Sequence, residues 1–314
     1  MSPLISAAIC TYQRYDLLER AIHSLVGQTL DKSRYEILVI DNSPDWQLSE
    51  EFAKAYASIE NLRWTIEKTP GLSNARNVAT GLAKAPLIGF MDDDAIARPG
   101  WLAAIIAAYD RFGSEVGVVG GKVNPIWAEP RPSWMHDELL GLVSVIDRGN
   151  ESRVLADDEW VAGVNISFRV DLLKETGGFN VGLGRKGSGY ALLSNEEVDV
   201  VEKIKQRGYA VVYTPEAEVD HIVDGDRLSQ VWIRRRVVWQ AVSDYLKDPA
   251  TVFERAPRHW HTVYDFVNRL SPRDRSPRAF FTEINDAELF RTQMAALYNY
   301  TTVLLTGFNG LEED

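Results

Sequence analysis

A single cysteine, Cys10, stands in 314 residues, so no internal disulfide can form and a reducing compartment is expected. No apolar run approaches the roughly 18 residues a membrane-spanning helix needs. The opening MSPLISAAIC lacks the basic start of a signal peptide and turns polar too early for one, so a cytoplasmic protein is expected. Positive charge is also short: 34 lysines and arginines face 45 acids, a net charge of −11. That argues against broad binding to nucleic acid or to an anionic membrane, although Arg234, Arg235 and Arg236 form a local basic spot. Low-complexity tracts and internal repeats are missing too, which leaves an ordinary globular chain of 45% hydrophobic and 25% charged residues.

Its length suits one large α/β domain, or one with a smaller part appended. Apolar, strand-like runs recur at residues 4–9, 36–40, 62–66, 87–91 and 116–119. Between them, residues 16–25, 50–57, 74–83 and 101–112 carry apolar positions at helical spacing. This βαβα alternation predicts a mainly parallel sheet flanked by helices, with right-handed connections. Prolines 125, 130 and 132 and tryptophans 127 and 134 mark irregular chain up to about residue 153. A second organised stretch follows: an apolar run at 159–168, a helix at 170–176, a glycine-rich loop at 177–189, a helix at 195–207 and a strand at 209–213. The tail beyond His221 reads as mostly helical, so the expected division is 1–222 and 223–314, with the tail covering the site or mediating association.

The sequence LIGFMDDDAIARPGWL drives a buried strand straight into Asp92, Asp93 and Asp94. Three like charges repel, and the carboxyl ends of strands are where open α/β sheets bind ligands, so a cation or a metal-bound phosphate is the natural partner. In an extended segment Asp92 and Asp94 would share a face, about 6.6 Å apart at their α carbons, one for a nucleotide and one for its metal. The plainer reading is a solvated acidic turn.

Two other strand ends carry suitable groups. In ICTYQR, Tyr12 is suited to stack on a base and Arg14 to face phosphate; in IDNSPD, Asp41 closes a strand, where an aspartate usually just forms a turn. Three such ends in one sheet favour a nucleotide site. Further along, Ser194 and Glu197 are spaced as a capping box, with Glu196 between them. Trp127 and Trp134, in irregular chain, are candidates for stacking on a sugar.

Taken in order, CTYQR, VIDNSPD, PGLSNARN, FMDDD, AGVNISFR, GGFN, SNEEVDVVEKIKQRGY and TPEAEVDH resemble the bacterial family 2 glycosyltransferases, which have a nucleotide-sugar-binding A-type fold. The resemblance spans residues 4 to about 245. It implies inverting transfer of a sugar from a nucleoside diphosphate donor, UDP being the commonest, assisted by Mn2+ or Mg2+. Residue by residue, it places Thr11, Tyr12, Arg14 and Asp41 around the nucleobase with Arg76 nearby. Asp92 and Asp93 fall on the nucleotide side, and Asp94, Asp92 and His221 at the metal. The stretch with Gly163 and Asn165 matches the part that receives the donor sugar, and 182–189 a loop that can close over it. Where the family has Glu-Asp this chain has Glu196-Glu197, the second acid being the expected base.

The partners so implied are a nucleotide-sugar donor and a saccharide, lipid-linked or protein acceptor, with no nucleic acid. Peripheral contact with the inner face of the membrane and self-association stay open. Two rivals remain. A sugar-nucleotide nucleotidyltransferase would need a glycine-rich basic loop near the start, and CTYQRYD has only Arg14 and no glycine. A non-catalytic carbohydrate-binding or scaffold protein would have no use for Asp92, Asp94 and the acid pair.

Overall fold

The structure, a computed structural model, describes residues 2–187 and 192–307. They fall into two compact units, one drawn from residues 1–126, 144–189 and 196–222 and the other from 127–143, 190–195 and 223–314. The second unit is therefore more than a tail, since it also takes two short segments from the middle of the chain.

The first unit is built on strands β1 (Ile5–Thr11), β2 (Tyr35–Asp41), β3 (Leu62–Ile66), β4 (Leu87–Asp92), β5 (Ala95–Ala97), β6 (Val116–Trp127), β7 (Arg153–Val154), β8 (Asn165–Arg169) and β9 (Ala210–Val223). Their order among the described residues is β3-β2-β1-β4-β8-β6-β9-β5, with β7 on β9. Strands β3, β2, β1 and β4 are mutually parallel, as the βαβα pattern requires. β8 then runs antiparallel to both β4 and β6, so the sheet is mixed rather than mainly parallel. The reason lies in the connections: β8 is reached through the irregular chain after β6, not through a crossover helix.

Helices α1 (Tyr15–Val26), α2 (Trp46–Ala55), α3 (Leu72–Leu82), α4 (Trp101–Phe112), α5 (Val170–Glu175) and α6 (Glu196–Lys205) belong to this unit. In α1 the buried residues Tyr15, Leu18, Ile22 and Leu25 follow helical spacing and pin one face to the sheet. α2 starts four residues earlier than its periodicity predicts, because the Asp45 carboxylate accepts the Leu48 N–H as an N-cap. The β6 glycines permit close packing: a Cβ on Gly121 would stand 1.7 Å from the Ala217 carbonyl oxygen.

The second unit is helical: α7 (Gln230–Lys247), α8 (Pro249–Arg269) and α9 (Ala287–Thr306), capped at their starts by Ser229, Asp248 and Asp286. It buries Ile233, Ala256, Phe266, Phe280, Phe290 and Met294. Among the described residues no helix is long and apolar enough to cross a membrane.

Candidate active site

Register aligns the strand ends that matter. Thr11 pairs with Asp41 across β1 and β2, and Cys10 with Asp92 across β1 and β4. After Asp92 the chain turns at once, so Asp93 and Asp94 lie in a tight turn between β4 and β5. The extended geometry that would put Asp92 and Asp94 on one face does not apply.

The turn sends the three carboxylates to different partners. Asp93 is buried, accepting the Thr11 hydroxyl at 2.7 Å and an Arg14 guanidinium nitrogen at 3.3 Å. Asp94, also buried, takes the same Arg14 nitrogen at 2.8 Å and stands 3.3 Å from His221 Nε2. Asp92 is more open, its side chain 37% exposed, and meets Arg76 at 3.3 Å. Burial, then the charge of Asp94, pushes the Asp93 carboxyl up to about 7, against the pull of Arg14. Burial raises Asp92 as well. The cluster is thus electrostatically expensive, and Arg14 offsets part of that cost. Arg14, its side chain 31% exposed, is engaged with Asp93 and Asp94, a pairing that the sequence reading, which had it face phosphate, did not foresee.

Arg76, 2% exposed, is the junction of the site. Its guanidinium donates to Glu196 Oε1 at 3.0 Å, to Asp92 Oδ1 at 3.3 Å and to the Gly163 carbonyl at 3.2 Å, and it lies over the rings of both Phe90 and Phe179. A buried fork of this kind fixes both acids in direction. The resemblance put Arg76 beside the nucleobase; the structure seats it between the aspartates and the acid pair. Gly163 is required by this approach, because a Cβ there would lie 2.9 Å from an Arg76 nitrogen and 3.3 Å from the Glu197 carboxyl carbon.

Helix α6 begins at Glu196, so the capping box does not form: the Ser194 hydroxyl donates to Gln240 instead. Burial, then the neighbouring charge of Glu197, pushes the Glu196 carboxyl up to about 8 despite Arg76. One buried oxygen on each of Glu196 and Glu197 has no hydrogen-bond partner among the described residues. Buried acceptors of this kind are ordinarily met by a water, an ion or a ligand donor.

Other expectations resolve differently. Asp41 is wholly buried, its two oxygens taken by the Ser43 N–H and the Tyr15 hydroxyl, both within 2.9 Å. It has no surface left for a base, and the turn-forming reading fits it better. Asn165 is equally enclosed: its amide donates to the Lys122 and Ala217 carbonyls and accepts the Trp101 indole N–H. It is a framework residue, not a sugar contact. Tyr12 stays half-exposed, with its hydroxyl 3.5 Å from where a Gly187 Cβ would be. His221 lies inside β9, opposite Ala95, not beyond the strand as the sequence suggested. Trp127 ends β6, and Trp134 packs edge-on against Phe290; both belong to the second unit. Of the 182–189 loop, Ser188 and Gly189 lie outside the described residues.

The sequence reading missed Gly184. Its φ is +80°, and a Cβ there would come within 2.9 Å of the Ser73 hydroxyl and 3.1 Å of the Glu196 carboxyl carbon. Leu183 O accepts the Ser73 hydroxyl and Arg185 O the Leu72 N–H, so this loop is docked on the start of α3. Burial drives the Cys10 thiol up to about 12, which removes a thiolate from consideration.

A cofactor test can be made on donor chemistry. Carboxylate oxygens from Asp92 and Asp94 and one imidazole from His221 are donor types that Mn2+ or Mg2+ accepts, and Asp94 lies 3.3 Å from His221 Nε2. Among the described residues no group of three or more His, Cys, Asp or Glu side chains could hold a metal by itself. An ion at these donors would therefore have to take further ligands from a bound phosphate.

Strand-end carboxylates, a buried arginine and an acid pair gather on a mixed α/β sheet, an arrangement suited to a transferase, and comparison with known proteins supplies the family. The family model described as Glycosyl transferase family 2 matches residues 6–173. The chain belongs to that family. It is 27% identical over 250 residues to the glucosyl-dolichyl phosphate glucuronosyltransferase of Haloferax volcanii, covering 78% of this chain and 77% of that one. To the validoxylamine A glucosyltransferase of Streptomyces hygroscopicus it is 29% identical over 160 residues, half of this chain and 36% of the other. Among solved structures, the mannosyltransferase PcManGT from Pyrobaculum calidifontis in complex with GDP-Man and Mn2+ shares the fold at a TM-score of 0.55 and 17% identity, covering 100% of this chain and 77% of that one. S. aureus TarS 1–349 does so at 0.54 and 16%, covering 97% and 92%.

Proposed function

We propose that the protein is an inverting glycosyltransferase that moves a sugar from a nucleoside diphosphate donor, a UDP-sugar first among them, to an acceptor hydroxyl in glycoconjugate or polysaccharide synthesis. The observation that carries this reading is Arg76, which ties Asp92 at the end of β4 to Glu196 at the start of α6 and so gathers the nucleotide-side acids and the acid pair into one cluster.

In this scheme Glu197 is the general base. Each acid keeps one oxygen without a partner among the described residues, but Glu196 is buried and its other oxygen is held by Arg76, whereas Glu197 is only half-buried and is the one assigned to take the acceptor's proton. The acceptor oxygen then attacks the anomeric carbon as the bond from sugar to phosphate breaks, with no covalent enzyme intermediate. Asp94 and His221, with Asp92, would hold Mn2+ or Mg2+, which when bound neutralises charge on the departing diphosphate. Arg14 keeps Asp93 and Asp94 in place, and Tyr12 offers an aromatic face at the nucleotide rim.

Calorimetry with UDP, GDP and dTDP, with and without Mn2+, tests the nucleotide half of this reading. Metal-dependent binding of one diphosphate is expected, together with slow hydrolysis of the matching donor. In Asp94→Ala that metal dependence should vanish while the melting temperature holds. Undiminished, metal-dependent binding in the variant removes Asp94 from the metal, and pyrophosphate release from a nucleoside triphosphate would favour the nucleotidyltransferase.

A further inference from the structure

Asn195, immediately before Glu196, has a left-handed backbone with φ of 74°, a conformation uncommon for any residue but glycine and least costly for Asn and Asp. It is 4% exposed, and both ends of its side chain are held. Its amide nitrogen donates to Asp244 Oδ1 at 2.6 Å, and its oxygen accepts from Gln240 at 2.9 Å. Gln240 also donates to Asp244 at 2.9 Å, and the Tyr298 hydroxyl donates to the other Asp244 oxygen at 2.6 Å. One residue earlier, the Ser194 N–H donates to the fully buried Ser243 hydroxyl at 3.1 Å, and the Ser194 hydroxyl to Gln240 at 3.3 Å.

Gln240, Ser243 and Asp244 lie on one face of α7, at helical spacings of three and four, and Tyr298 comes from α9. The network sits entirely within the helical unit, and the chain passes from it directly into the acid pair. A generic packing contact would not need this much. The bonds converge on a single strained residue whose dihedral angle sets the direction in which α6 starts, and Glu196 and Glu197 are the first two residues of α6.

We infer that Asp244 and Tyr298, with Gln240, are positioning residues for the reaction: they lock Asn195 in its left-handed conformation and thereby aim Glu196 and Glu197. The inference rests on the acid pair being catalytic, as proposed above. It gives the helical unit a part in turnover rather than in donor binding. An aspartate serves here because it accepts three donors at once, from Asn195, Gln240 and Tyr298. A displacement of an ångström at a base is enough to slow proton transfer by about 10²-fold.

The test uses the full chain with UDP-glucose and GDP-mannose as donors and Mn2+ present, reading release of the nucleoside diphosphate. Asp244→Asn is expected to lower kcat by about tenfold or more with the donor KM changed less than about twofold, since the loss is confined to the transition state. Tyr298→Phe should lower kcat by less. The paired exchange of Asn195→Asp with Asp244→Asn restores a carboxylate–amide contact with the roles reversed, and should recover most of the rate. Hydrogen exchange provides a readout that needs no activity: the amides of residues 195–198 should exchange about tenfold faster in Asp244→Asn, with β1 and β4 unchanged. Wild-type kcat and wild-type exchange in Asp244→Asn overturn the inference. So does a kcat loss that comes with weakened UDP or GDP binding and a lowered melting temperature, because that is a merely structural role. If the wild type releases no diphosphate from either donor, the transferase reading is what fails with them, and the exchange measurement still decides whether the network holds the start of α6.

Discussion

Among single residues, Glu196 and Glu197 differ by what each already touches. Glu197→Gln removes the proposed proton acceptor while keeping shape, so transfer should fall by about 10²-fold or more with nucleotide binding retained. An active Glu197→Gln enzyme moves the base elsewhere. Glu196 is expected to act through Arg76, and its carboxyl, raised from 4.5 to about 8, gives it a pH signature. An acid whose folded-state value lies above its unfolded one stabilises the fold fully below the unfolded value and loses that contribution as pH rises through the folded one. The melting temperature should therefore decline between about pH 5 and pH 8, and Glu196→Gln should flatten the slope. The flattening is partial, since the raised values of Asp92 and Asp93 act in the same direction. A thermal-shift series across pH checks it; an identical slope in the variant would show that Glu196 is ionised throughout.

At the level of elements, what the sequence revealed follows from what is local. Strands β1 to β4 announced themselves through apolar runs, and α1, α3 and α4 through spacing. The mixed sheet did not, because the pairing of β8 with β4 and β6 joins segments some 50 to 80 residues apart, with no crossover helix to signal direction. The acids were legible as residue types at strand and helix starts. Their partners were not: the Arg76–Glu196 contact spans 120 positions, and the turn after Asp92 sends Asp93 and Asp94 away from the geometry of a strand. Asp41 and Asn165 matched the motifs but are consumed by the framework. Gly184 follows the same logic in reverse, a plain loop glycine in sequence and a close neighbour of Glu196 in space. Gly184→Ala must relieve both a positive φ and a 3.1 Å approach, so kcat should fall at least about tenfold, with a stability loss of about 1 kcal/mol measured by urea unfolding. Full activity in that variant would mean the loop yields without disturbing Glu196.

For the whole molecule, the question is what a helical unit contributes to a chemistry whose proposed acids lie in the other unit. Phe290 offers a way to ask it. The side chain is fully buried, meeting Trp134 edge-on with 4.8 Å between ring centres and lying under the Arg234 guanidinium. Arg234 is itself buried and donates to Gln230, Gln293 and the Thr282 carbonyl, so this is the centre of the unit rather than a basic surface for diphosphate. Phe290→Ala leaves a cavity and strips the arginine of its aromatic face, at a cost of about 3–5 kcal/mol. None of the residues proposed to bind nucleotide is touched: Tyr12, Asp92, Asp94 and His221 all belong to the other unit. Loosening the helical unit should therefore leave UDP or GDP affinity near the wild-type value while turnover falls, because α7 and α9 hold Ser194 and Asn195 at the threshold of the acid pair. Calorimetry and steady-state kinetics on one preparation, below the variant's lowered melting temperature, separate the two. If binding and turnover decline together, the helical unit supports the nucleotide site as well, and its influence is not confined to the start of α6.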